Sequence, residues 1–343
     1  MKWKKLNAVI IVLSLVVLFV YISLVDGLSN VLQVLTTVSP LWLSASLAMM
    51  AVYWLLEAVI LHVAVKKLHP LQRFGSTFHT SMIGQFFNCV TPSASGGQPM
   101  QAVHMVKCGV PLGVASSSLL VKFIVYQGTL TLYSLVILLF YYRSFAEQIN
   151  GFGFLILIGF FISAAVMAGL ICICFFRRFT RRMAEGIVSL LARIRLIKDK
   201  EARMDYIHRE LDQFHESFQI MRKNLSMIVW MALLSVVQLT VFFLIPYGIY
   251  RSFGLQGASP FTVLAAQACV SMMSSFVPLP GAMGGAEFSF HTLFGSFMPE
   301  EFLNMAILFW RMVTFYLPIL VGMFFVVQFR PRRRSEKEES TKE

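Results

Sequence analysis

Two cations stand where an apolar chain tolerates them least. Lys122 and Arg311 each lie inside a long run of hydrophobic residues. A cation at the centre of a bilayer costs about 2.5–3.5 kcal/mol on insertion scales, so it persists only when paired or when it faces a polar path. Glu287 follows the glycine pair Gly284-Gly285 and is the natural carboxylate for Arg311. Lys122 has no equivalent, because Gln98 and Pro99 occupy the corresponding place in the first half. It is therefore either the freer of the two cations or is served by Glu57 from an earlier apolar run. Two roles suit such charges, and they are compatible: a buried ion pair that pins the fold, and a cation that meets an anionic group in transit.

The elements that must position these charges are two broken stretches. Phe276-Val-Pro278-Leu-Pro280-Gly-Ala-Met-Gly284-Gly285-Ala-Glu287 precedes the helix carrying Arg311, and Cys89-Val-Thr91-Pro92-Ser93-Ala-Ser95-Gly96-Gly97-Gln98-Pro99 precedes the helix carrying Lys122. Prolines and glycines at this density prevent a continuous helix. At membrane depth, broken backbone survives only where protein or a polar cavity covers it. Aligning Pro92 with Pro280 aligns Gly96-Gly97 with Gly284-Gly285, and nearly the same offset brings Lys122 onto Arg311. Internal repeats of this kind mark transporter folds. A half-helix starting after such a turn presents free N–H groups and a dipole to an anion such as a phospholipid phosphate. Thr91, Ser93 and Ser95 add hydroxyls to the first turn. Glycine pairs also allow close helix packing without any ligand.

The composition sets the class. Of 343 residues, 57% are hydrophobic and 13% charged, with a mean hydropathy of +0.72. That balance predicts an all-α polytopic membrane protein. Six full spans are expected, at Leu6–Val25, Leu41–Val65, Pro111–Tyr142, Phe152–Phe176, Leu225–Tyr250 and Phe302–Phe329. Two re-entrant hairpins, at 74–105 and 260–297, complete an inverted-repeat arrangement. The organisation reads as a first membrane half (1–176), a basic segment (177–224), a second membrane half (225–330) and a charged, disordered tail (331–343).

The net charge of +12 would suit nucleic acid, but its distribution argues for topology instead. With the N-terminus in the cytoplasm and each hairpin returning to its own side, inside loops collect 25 Lys and Arg and outside loops hold two, Arg143 and Arg251. This is the positive-inside pattern, so no nucleic-acid partner is expected and both termini are placed in the cytoplasm. The basic segment carries two helical stripes: Ile187, Leu190, Leu191, Ile194 and Ile197, then Met204, Ile207, Leu211, Phe214, Phe218 and Met221. They fit amphipathic helices on the membrane surface or a helical hairpin joining the halves.

Other chemistries find little support. The five cysteines have neither zinc spacing nor a disulfide framework. His62, His79, His104 and His291 accompany no nucleophile elbow, metalloprotease motif or paired-aspartate motif and read as packing or helix-end residues; no Walker A sequence is present. No cofactor, metal or catalytic residue is assigned.

A broken helix ending in Gly-Gly, then Pro278-Leu-Pro280-Gly-Ala-Met-Gly284-Gly285-Ala-Glu287, then Arg311 in the last span, together resemble the flippase-like membrane region of lysylphosphatidylglycerol synthases of the multiple peptide resistance factor type. The resemblance covers about residues 6–330. The first motif departs from that pattern, because members often carry an acidic residue near Gln98 and an arginine near Lys122. The resemblance implies movement of an anionic or aminoacylated phospholipid between leaflets of a bacterial inner membrane. It also implies a link to cationic-peptide resistance, and a homo-oligomer or a separate lipid-modifying enzyme as partner. The rival expectation is the lysyltransferase activity itself, for which this sequence is expected to lack the couple of hundred residues of a soluble transferase domain.

Overall fold

The computed structural model describes residues 38–146, 152–193, 200–274 and 277–328. The first apolar run, Leu6–Val25, the tail 331–343, and Phe276, Ile194 and Ile197 lie outside them, as do the side chains of the first amphipathic stripe's Ile187, Leu190 and Leu191. The helices are α1 (Pro40–Leu68), α2 (Phe74–Val90), α3 (Gly97–Lys107), α4 (Leu112–Ala146), α5 (Phe152–Phe175), α6 (Arg177–Arg193), α7 (Lys200–Arg222), α8 (Leu225–Phe243), α9 (Ile245–Ser252), α10 (Pro260–Ser274), α11 (Gly285–Phe294), α12 (Glu300–Arg311) and α13 (Leu317–Gln328). A π-helical turn, Met312–Tyr316, joins α12 to α13.

Five of these segments are long and apolar enough to cross a membrane: Pro40–Leu68, Leu112–Tyr141, Ile158–Phe175, Leu225–Ser252 and Glu300–Gln328. The last two are not uniform. Pro246 sits at the start of α9, where its missing N–H breaks the span at Leu244. The π-turn precedes Pro318, which cannot donate to the carbonyl of Thr314.

The central element is α1, which packs against α2, α4, α8 and α9. Its two ends mark two faces. At its start, Ser39 N–H donates to the Ser252 carbonyl at the end of α9, 2.9 Å away. There Val38 shares a core with Tyr250, Ala258, Phe294 and Met298. At its far end, His69 lines a cavity with Arg73, Lys107 and Gln328. The open ends of the α2–α3 hairpin therefore lie at the second face, and those of the α10–α11 hairpin at the first. The two broken elements enter from opposite ends of α1, as an inverted repeat requires.

The basic segment forms two helices, and α7 is not spread on a lipid surface. Phe214, Phe218 and Met221 are buried in a core with Ile60, Ala64, Val121, Cys174, Met227 and Met231. Glu210 reaches across to accept the N–H of Gly113 in the first turn of α4 at 2.7 Å. A carboxylate there satisfies an orphan donor and complements the helix dipole. Gly113 is the residue that permits this approach, because an added Cβ would lie 2.8 Å from the Glu210 carbonyl oxygen. The basic faces are held by Arg177 and Arg181 on Asp212, at 2.6 and 3.3 Å, and by His208 on Glu185 at 3.2 Å.

Candidate functional site

The two broken elements meet at their tips. Pro92 and Pro280, the residues aligned by the internal repeat, form an isolated antiparallel bridge. An antiparallel pairing of equivalent residues is what a local two-fold axis produces. The backbones of the two tips are near copies. Ala94 N–H donates to the Thr91 carbonyl and Ser95 N–H to that of Pro92, at 3.3 and 3.1 Å. In the second tip Ala282 N–H donates to the Leu279 carbonyl and Met283 N–H to that of Pro280, at 2.9 and 3.3 Å. Left-handed conformations recur at the same places: Ser93 (φ 49°) and Ala94 (φ 52°) match Gly281 (φ 60°) and Ala282 (φ 53°). Pro278, aligned with Val90, leads into the second tip.

The furnishing of the two tips differs. At the first tip, Lys122 on α4 forms an ion pair with Glu57 Oε1 on α1, while Gln238 Nε2 on α8 donates to Glu57 Oε2 at 2.8 Å. All three side chains are buried. Of the two alternatives open for Lys122, the structure selects service by Glu57. The pair is not sealed. A cavity of about 540 Å³ opens beside it, lined by Tyr53, Gln85, Asn88, Ser93, Ser95 and Tyr126 among others. Next to it lies an apolar groove of about 430 Å³ between α3, α4 and α7, walled by Leu112, Leu120, Ile173, Ile207, Leu211 and Phe214. Gln98, Pro99 and Leu119 line both spaces, so the polar cavity and the apolar groove share a wall.

At the second tip, Glu287 belongs to the half-helix itself. Its Oε2 accepts the Gly284 N–H at 2.7 Å, capping the start of the half-helix, and its Oε1 lies 2.6 Å from Arg311 Nε. That contact pairs charge without hydrogen-bond alignment; direction comes from Arg311 Nη1, which donates to the Gly281 carbonyl at 2.9 Å. The rings of Trp310 and Phe315 cover the guanidinium carbon at 4.7 and 5.7 Å. Arg311 Nη2 is buried and makes no hydrogen bond among the described residues. The half-helix N-terminus expected to receive a ligand anion here already holds the protein's own carboxylate.

Of the other residues singled out by sequence, Ser93 and Ser95 line the polar cavity, and the Ser95 hydroxyl also donates to the Pro92 carbonyl at 2.8 Å. Thr91 does not line it. Its hydroxyl donates to the Phe87 carbonyl at 2.6 Å and accepts the Gly96 N–H at 2.8 Å, holding the turn together. The glycines do not line it either. Gly97 sits against Asn88, and a Cβ added to it would lie 2.9 Å from the Gly84 carbonyl oxygen; Gly285 sits against Val277. Gly284 has φ 80° with open space around it, so its requirement is conformational. Gly96 lies against the Thr91 side chain.

Sequence reasoning missed Gln238, whose position in an apolar span is its signal, and the rings four residues past each cation, Tyr126 after Lys122 and Phe315 after Arg311. It also missed the π-turn, for which Pro318 is the local sign.

Together, the helices and the paired tips define an all-α, multi-pass membrane protein built around two equivalent broken hairpins. The chain belongs to the family described as the lysylphosphatidylglycerol synthase TM region, whose model matches residues 8–322. It is also similar to a UPF0104 membrane protein of Archaeoglobus fulgidus, 26% identical over 278 residues that cover 79% of this chain and 81% of the relative.

Proposed function

We propose that this protein moves an anionic or aminoacylated phospholipid between the leaflets of a bacterial inner membrane, with its termini in the cytoplasm. The observation that carries this reading is the shared wall of the polar cavity and the apolar groove. A phospholipid needs both at once: a place for a charged headgroup and an apolar surface for its acyl chains. Lys122 offers a cation to the phosphate. Glu57 offers a carboxylate to an amine, which suits an aminoacylated headgroup such as lysyl-phosphatidylglycerol. The pair is already satisfied within the protein, so a headgroup exchanges partners with it instead of rescuing a lone charge. Arg311 and Glu287 hold the second tip, whose Pro280 pairs with Pro92 of the first. A separate lipid-modifying enzyme, or a second copy of the chain, would be the partner in the membrane.

The experiment is reconstitution of the full chain into vesicles containing fluorescent phosphatidylglycerol, with an impermeant quencher reporting the outer leaflet. Faster exchange than in protein-free vesicles supports the proposal; an identical rate removes it. The family's name brings a second reading, synthesis of lysylphosphatidylglycerol. Lysyl-lipid newly formed in cells expressing this chain alone would establish that reading instead.

A further inference from the structure

A third cavity, of about 490 Å³, lies at the open end of the α2–α3 hairpin, away from the tips. Two cationic side chains, Arg73 and Lys107, line it with the imidazoles of His69, His79 and His104. Among the described residues its wall holds no carboxylate. The formal charges on this wall are of one sign, whereas the polar cavity at the tips is lined by Lys122 and Glu57 together.

The donors are oriented. His79 Nε2 is 2.8 Å from the Phe325 carbonyl, so that nitrogen carries the hydrogen and donates it. His104 Nδ1 is 2.8 Å from the Thr80 hydroxyl, and the two imidazoles stack with centroids 4.9 Å apart. The Ser76 hydroxyl is buried and makes no hydrogen bond among the described residues, and Ser76 belongs to the same wall. Arg73 immediately precedes α2, a 17-residue helix whose N-cap has no side-chain partner, so the helix dipole adds to the positive field. The rim is apolar: Leu71 is 87% exposed and Phe74 39% exposed. Basic groups behind an apolar rim are the pattern of a surface that meets lipid headgroups. Gln328 completes the wall, and four arginines (330, 332, 333 and 334) follow it in the sequence.

We infer that this cavity is a second binding site, for a phosphate-bearing anion, at the basic face of the protein. The phosphate is that of an anionic lipid in the adjoining leaflet or a free phosphate group. The site does not depend on the translocation reading.

The test uses the full chain in phosphatidylcholine nanodiscs, with or without a small fraction of phosphatidylglycerol, and inorganic phosphate as the soluble probe. Arg73→Gln/Lys107→Gln removes charge at two exposed positions, and Ser76→Ala removes the buried hydroxyl. With the tip pair neutralised by Glu57→Gln/Lys122→Gln, native mass spectrometry should show phosphatidylglycerol retained at least tenfold more than when Arg73→Gln/Lys107→Gln is added. Stabilisation by inorganic phosphate without lipid retention, again lost in the variants, would assign the site to free phosphate. Equal retention and equal phosphate response with and without these substitutions would overturn the inference. Because the tip pair is neutralised in that background, the lipid counted is the one held at this cavity, which separates failure here from failure at the tips.

Discussion

The two tips share a backbone and differ in what surrounds it. Each runs through a proline and two successive left-handed residues to a glycine pair that opens a half-helix; they part at the first glycine of the pair, left-handed at Gly284 (φ 80°) and not at Gly96 (φ −83°). At the first, the residue after the proline is Ser93, and it faces the polar cavity. At the second it is Gly281, and the ring of Phe315 occupies the space a side chain would need. Tyr126 and Phe315 stand four residues past their cations, yet Tyr126 walls a cavity while Phe315 fills one. The π-turn lies between Arg311 and α13, and its extra residue per turn alters where Phe315 points. The carboxylates differ in the same sense. Glu57 comes from a neighbouring span and meets Lys122 and Gln238 on two other helices; Glu287 caps its own half-helix with one oxygen and meets Arg311 with the other. Of two equivalent supports, one is packed and the other is left open to a cavity.

The largest expected effect of breaking this asymmetry is at the packed tip. Glu287→Ala removes a helix cap and strands the Arg311 charge among aromatic rings. Loss of one partner of a buried pair costs about 3–5 kcal/mol, so the variant should show a strongly lowered unfolding temperature or poor recovery in detergent. Lys122→Ala should be milder in stability, about 1–3 kcal/mol, because the cavity admits water to the abandoned carboxylate, while translocation should fall sharply. Stability ranking the other way would mean that the open tip is the anchor.

The left-handed positions sharpen the same contrast. Gly281→Ala meets Phe315 and a strained φ of 60°, and should cost about 1–3 kcal/mol by thermal unfolding. Ser93→Gly at the equivalent position relieves strain and should be neutral or stabilise by up to about 1 kcal/mol, less what glycine's freedom in the unfolded chain takes back.

The smallest effect is expected at the α6–α7 hairpin. Burial pushes the His215 imidazole below its ordinary value of 6.5. A depressed folded value means that His215 favours the fold fully above pH 6.5, and that this contribution fades as pH falls through the folded value. A hydrogen bond from Arg177 holds the Asp212 carboxyl below its usual 3.8, so its contribution fades only in stronger acid. Limited proteolysis within 177–224 should therefore rise modestly between about pH 7.5 and 5.5, and His215→Gln should flatten that rise.

Much of this was legible from spacing. Proline, glycine pair and cation recur in order, and the broken backbone they force must be covered, so the meeting of the tips followed from what lipid cannot do for a peptide group. Glu287 was readable because it sits one turn into its helix. The partner of Lys122 was not fixed, since Glu57 is 65 residues away and only packing of α1 on α4 brings it there. The apolar groove was illegible because a third of its wall is α7, whose stripe fits a membrane surface as well as a protein core. The basic cavity was missed because its histidines, arginine and lysine lie at the ends of separate helices, and no local pattern joins them.

Everything proposed for transport requires the open tip to carry the headgroup. Glu57→Gln/Lys122→Gln tests this most directly, because it keeps the shape of the pair and leaves no stranded charge. Reconstituted into vesicles, this variant should be folded, with an unfolding temperature near that of the wild type, and should exchange fluorescent phosphatidylglycerol at least tenfold more slowly. Wild-type exchange by the folded double variant would contradict the account.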